Sequence, residues 1–160
     1  MSMTIRSTAF AEGDVIPQRH TGDGQDVSPP LAWEGVPDEA RELALVCDDP
    51  DAPTAEPWVH WVIYKIAPTV RALPQGVPAD AQLDAPIEAL QGRNSWPTGC
   101  TIGYRGPAPP PRHGVHHYHF KLYALDCELD LNSGIDKNAL LAAMDSHVLA
   151  QGELVGTYQR

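Results

Sequence analysis

Three short segments hold the residues best suited to chemistry: Asp48-Asp49-Pro50-Asp51-Ala52-Pro53, Trp58-Val59-His60-Trp61 and His116-His117-Tyr118. Each places carboxylates, imidazoles or a phenol at the mouth of an apolar run, where a buried polar group is costly unless something satisfies it. These types can exchange protons with a substrate, donate hydrogen bonds to an anion or, through the imidazoles, hold a metal. Which of these applies depends on which way the side chains point.

Strand alternation gives those directions. In Val115 to Leu125 the set His116, Tyr118, Phe120, Leu122 and Ala124 is apolar beyond its first two members, so it should face the core. His117, His119 and Lys121 then face water. Leu43, Leu45, Cys47 and Asp49 likewise share one face, which aims the Asp49 carboxylate inward before Pro50 breaks the strand. From Trp58 to Ile66 both faces are apolar, with Trp58, His60, Val62, Tyr64 and Ile66 on one and Val59, Trp61 and Ile63 on the other. This reads as a central strand buried on both sides. Alternation orients the polar groups but does not bring the strand ends together, and a buried histidine taken alone is more often structural.

The elements that must carry them are short. Sixteen prolines and 13 glycines are spread through the chain and punctuate runs of branched and aromatic residues, the pattern of a mainly antiparallel β architecture. Gly106-Pro107-Ala108-Pro109-Pro110-Pro111 must be a stiff extended loop, and its place just before the ionisable cluster makes it a candidate pocket wall. From Asp136 to Ala150 the apolar residues Leu140, Leu141, Met144, Val148 and Leu149 recur at helical spacing, with Asp136 or Ser133 to cap the start and Gly152 to end it. Leu154 to Tyr158 reads as a last strand.

Bulk properties narrow the function. The 160 residues predict one domain, 1–160. A net charge of −10 opposes nucleic acid and anionic membranes, and no run approaches a membrane span, so neither nucleic-acid binding nor stable membrane insertion is expected. The N-terminus lacks a long apolar signal core, which predicts a cytoplasmic protein. Cys47, Cys100 and Cys127 form no Cys-x-x-Cys pair, and Cys47 reads as a small hydrophobe. The dense His113, His116, His117 and His119 raise a metal reading. No carboxylate or cysteine is evident on the outward face of that strand, and Lys121 would repel a cation, so no metal or other cofactor is expected.

Taken in order, the motifs resemble the phosphatidylethanolamine-binding protein family, also called Raf kinase inhibitor-like, in its compact bacterial and archaeal branch. Asp49-Pro50-Asp51-Ala52-Pro53 matches the D-P-D-A-P signature, Trp58 and His60 the aromatic-plus-histidine strand, and Gly106 to Tyr118 the G-P-x-P-P…H-x-Y segment. Val27-Ser28-Pro29-Pro30-Leu31-Ala32-Trp33, Tyr123-Ala124-Leu125-Asp126 and Gly156-Thr157-Tyr158 agree as well. His117 departs from the usual Arg or Lys, Val59 from a second aromatic, and Asn94 to Tyr104 is longer than in close relatives.

The resemblance implies an all-β, mainly antiparallel two-sheet sandwich with one short helix in the C-terminal half. It implies a small cavity for phosphate-like, phosphoryl or carboxylate ligands, built from Asp49, Asp51, His60, His116 and Tyr118, lined by Trp58, with main-chain donors from Gly106, Pro107 and Ala108. Such a cavity accepts a head group and not acyl chains. It also implies a homodimer, a ligand-binding or regulatory role, and a protein partner such as a kinase or a serine protease. Eukaryotic relatives carry a further C-terminal helix that this chain lacks, so a more open cavity is expected. No Gly-x-Ser-x-Gly elbow, P-loop or His-Glu-x-x-His is present, so no catalytic residue is assigned. The alternative is an enzyme using the Asp/His cluster for general acid–base chemistry on a small molecule.

Overall fold

The computed structural model describes residues 2–160. Its centre is a six-stranded antiparallel sheet in the order β6-β7-β4-β3-β8-β9, from β3 (Glu42–Asp49), β4 (Trp58–Ile66), β6 (Gln82–Leu83), β7 (Ala89–Gln91), β8 (His116–Leu125) and β9 (Val148–Tyr158). A smaller sheet of β1 (Thr4–Arg6), β2 (Leu31–Glu34) and β5 (Ala72–Leu73) covers one face, and α1 (Lys137–Met144) packs on the other. This is the expected two-sheet, mainly antiparallel architecture with one short helix. Among the described residues, no helix is long and apolar enough to cross a membrane.

Two apolar cores follow from this layering. Leu43, Leu45, Cys47, Phe120 and Leu122 meet Ile5, Leu31, Trp33 and Leu73 of the small sheet. Ala44, Val46, Val62 and Tyr64 meet Leu140 and Met144 of α1. β3 is buried along its whole length because it carries apolar groups on both faces. An eight-residue helix has little stability alone; Leu140 and Met144 each contribute roughly 2 kcal/mol by burial and hold it to the sheet. Cys47 is buried as a small hydrophobe, as the sequence indicated.

Two readings of the sequence need correction. Strict alternation fails in β4, where Asp48 pairs with Val59 but Cys47 pairs with Trp61. His60 is therefore an extra residue, a β-bulge that leaves two residues opposite one and turns their side chains to the same side. Trp61 and Ile63 accordingly join the core of the small sheet, while Val59, Val62 and Tyr64 join the helix side. The helix expected from Asp136 to Ala150 stops at Met144, although Asp136 caps it by accepting the Ala139 amide. Ser146, in left-handed backbone (φ 69°), turns the chain, and Val148 and Leu149 begin β9. Gly152 ends nothing: it sits inside β9, where a Cβ would lie 2.4 Å from the Met3 carbonyl oxygen.

Candidate functional site

β3, β4 and β8 place the polar groups at one end of the large sheet. Asp49 pairs with Trp58, and Asp48 with His119, so Asp49 and Tyr118 point to the same side. Here they bound a cavity of about 220 Å³ with Trp58, His60, Trp96, Thr54, His116 and the loop from Ala108 to Pro110. The strand ends thus converge, which alternation alone did not show.

At the floor, Asp49 Oδ2 accepts from His116 Nδ1 at 2.6 Å, and Asp49 Oδ1 accepts the Asp51 amide at 2.8 Å. With the Nδ1 proton committed to the carboxylate, His116 Nε2 is an acceptor in the neutral ring and a donor only in the imidazolium. That nitrogen lies 2.7 Å from His113 Nδ1, so a chain of three groups runs from the buried Asp49 to the exposed His113. Gly114 (φ 95°) and Arg112 (φ 64°) bend the loop that brings His113 over.

His60 is fixed differently. Its Nδ1 donates to the Arg105 carbonyl at 2.6 Å, and the Arg105 amide returns a bond to the His60 carbonyl at 3.0 Å. Burial pushes its pKa down to about 4, against the upward pull of the Arg105 carbonyl and the Asp49 and Asp48 charges. The ring is therefore neutral at ordinary pH, and its tautomer leaves Nε2 with a lone pair only. Among the described residues Nε2 has no hydrogen-bond partner and is not closed off from solvent, so it opens into the cavity that His60 lines. Burial and the Asp49 charge push the Tyr118 hydroxyl upward, so it keeps its proton. The Tyr118 ring stands edge-on to His60, with centroids 5.1 Å apart.

Of the residues that the sequence pointed to, Asp49, Trp58, His60, Ala108, His116 and Tyr118 line the cavity. Asp51, Gly106 and Pro107 do not. The exposed Asp51 carboxylate is turned to His117, accepting both its amide and its Nδ1 at 2.8 Å. The Gly106 amide is spent on Asp26 Oδ1 at 2.7 Å, and proline has no N–H, so only Ala108 remains as a main-chain donor in that run. Gly106 backs the wall instead: a Cβ there would lie 2.1 Å from the His20 carbonyl oxygen. His117 is exposed and His119 half-buried on the expected outward face, yet each meets a carboxylate, Asp51 and Glu153, where none was expected.

Trp96 was missed. It comes from the long Asn94–Tyr104 segment, stands edge-on to Trp58 (5.4 Å) and His60 (5.2 Å), and carries the Arg105 guanidinium 4.7 Å over its ring. Asn94 organises that loop: its Nδ2 donates to the Cys100 and Gly103 carbonyls and its Oδ1 accepts the Trp96 amide. The signal was a tryptophan alone among Pro, Thr and Gly, a residue too large to leave idle in a polar loop.

Residues 6–159 match the family model for phosphatidylethanolamine-binding protein. The chain belongs to that family. A UPF0098 protein of Methanothermobacter thermautotrophicus is 49% identical over 99% of both chains. Among solved structures, a phosphatidylethanolamine-binding protein homologue from Chlamydia trachomatis is 39% identical, with TM-score 0.86 over 99% of this chain and 98% of its own. Escherichia coli YbcL, described as a member of the mammalian PEBP family, is 29% identical, with TM-score 0.89 over 100% of this chain and 99% of its own.

Proposed function

We propose that this family member is a binding module for small phosphoryl-type anions or head groups, with the cavity between Asp49, His60, His116 and Tyr118 as its site. The observation that carries this reading is the Asp49–His116 pair at 2.6 Å, buried at the floor of a cavity that also receives the Tyr118 hydroxyl. A cavity of about 220 Å³ falls below the roughly 300–1,000 Å³ of drug-sized ligand sites, which suits a head group and leaves no room for acyl chains. Trp58 and Trp96 wall the cavity with apolar surface, and hydrogen bonds to charged oxygens gain strength where the surroundings are less polar than water. A cytoplasmic, homodimeric regulator of a kinase or protease remains the extension of this reading that the family resemblance suggests.

Calorimetric titration with inorganic phosphate tests it. Saturable binding is expected that weakens at least tenfold in Tyr118→Phe, which removes a donor to a charged oxygen, and in His116→Ala, which leaves the Asp49 carboxylate without its imidazole partner beside the anion. Heat flat across the millimolar range would sink the reading.

One observation favours a second reading. The chain Asp49–His116–His113 has the layout of a base held by an orienting carboxylate, the arrangement general acid–base catalysis needs. Turnover of a small phosphate ester, abolished by His116→Ala, would support it.

A further inference from the structure

An anion site in which the ring nitrogens are acceptors looks self-defeating, and that conflict names the ligand more closely. His60 Nδ1 cannot turn toward the cavity, because it donates to the Arg105 carbonyl at 2.6 Å while the Arg105 amide grips the His60 carbonyl. The nitrogen left for a ligand is Nε2, a lone pair. The Asp49 carboxylate lines the same cavity, and its oxygens already take the Asp51 amide and His116 Nδ1. Both present negative density to whatever enters. A bare oxyanion placed against them is repelled, whereas an oxyanion with a hydrogen atom on one oxygen converts the same contact into a bond.

The geometry points to selection of a tetrahedral oxyanion that keeps a hydrogen atom on one of its own oxygens, hydrogen phosphate, rather than a fully deprotonated tetrahedral anion. This deepens the proposed function and rests on it. In this arrangement the protonated oxygen donates to His60 Nε2, while bare oxygens receive from the Tyr118 hydroxyl and the Ala108 amide. Phosphate and sulfate are the discriminating pair, being of like size and shape; at neutral pH phosphate keeps a proton and sulfate has none.

Competitive or direct calorimetry with inorganic phosphate and with sulfate near neutral pH is the experiment. Phosphate is expected to bind at least tenfold more tightly, the discrimination usual when a buried acceptor would be left facing an acceptor. Acid should erase the difference by converting His60 into a donor, so sulfate affinity climbs as pH falls toward about 4. The groups facing that imidazole are Asp49 from β3, His116 and Tyr118 from β8, and Trp96 with the Arg105 and Gly106 backbone from the loops, with Asp48 acting through the sheet. His60→Gln, whose amide can present N–H or carbonyl, is expected to narrow the preference, with circular dichroism checking its fold. Equal or tighter binding of sulfate near neutral pH overturns the selectivity while leaving the anion site standing. Binding of neither anion overturns both.

Discussion

Asp48 and Asp49 are neighbours on one strand, both buried, and they have opposite environments. Asp48 turns toward the helix side, where Lys137 Nζ reaches its Oδ2 at 2.7 Å and Lys121 Nζ stands 3.5 Å from its Oδ1. Asp49 turns toward the small-sheet side, where its partners are a main-chain amide and the His116 imidazole. The first carboxylate takes a hydrogen bond from the Lys137 ammonium and has the Lys121 ammonium beside it, so it ties α1 to the sheet. The second is matched by an imidazole and a main-chain amide, and it opens onto a cavity. One residue of strand pleat separates a fastening from a site.

The largest expected effect breaks the fastening. Lys137→Met keeps the aliphatic stem but leaves Asp48 buried with only the longer Lys121 contact, and about 3 kcal/mol of stability should be lost. Urea denaturation measures it, and Asp48→Asn in the same background should recover part of the loss. Unchanged stability would mean that the two aspartates do not differ in kind.

Acid titration sharpens the comparison from the other side. The unfolded chain binds a proton at His60 below about pH 6.5, whereas the folded ring resists it until about 4. Between those values the unfolded state holds more protons, so stability is complete above the upper value and is lost as pH falls toward the lower. The loss is roughly 3 kcal/mol at one residue. Thermal melts of wild type and His60→Asn across this window should show the variant with a shallower slope; parallel slopes would remove His60 from the account.

The smallest effect concerns the far end of the Asp49 chain. His113 Nδ1 occupies the direction from which His116 Nε2 would meet a ligand. His113→Ala should therefore tighten phosphate binding about three- to tenfold, the worth of one net hydrogen bond. Weaker binding would instead make His113 a ligand contact.

Much of this contrast is legible in the sequence, because a strand's period of two is rigid. It aimed Asp49, His116 and Tyr118 inward and His117 outward, and the apolar runs located β3, β4 and β8 within a residue or two. Three features escaped. A bulge at His60 carries no local signal, since Val59, His60 and Trp61 all suit a regular strand. The Trp96 wall depends on Asn94 folding a distant loop against β4, a contact that exists only in three dimensions. The helix ran too long because Val148 and Leu149 continue helical spacing by chance, and a left-handed serine left no mark. The family resemblance supplied the convergence of strand ends, yet it overextended the lining to Asp51, Gly106 and Pro107, whose polar groups have partners of their own or none to give.

The bulge also separates the cavity from the framework. Because His60 is an insertion opposite Cys47, removing that one residue would restore regular pairing at the cavity end of β4, with Val59 still opposite Asp48 and Trp61 still opposite Cys47; the second irregularity of this pair, between Leu43 and Leu45, lies at the other end. Neither apolar core would need a new side chain. His60 is thus a single added letter in β4, so its Nε2 lone pair could be gained or lost by one codon while Asp49, His116 and Tyr118 stay on their own strands.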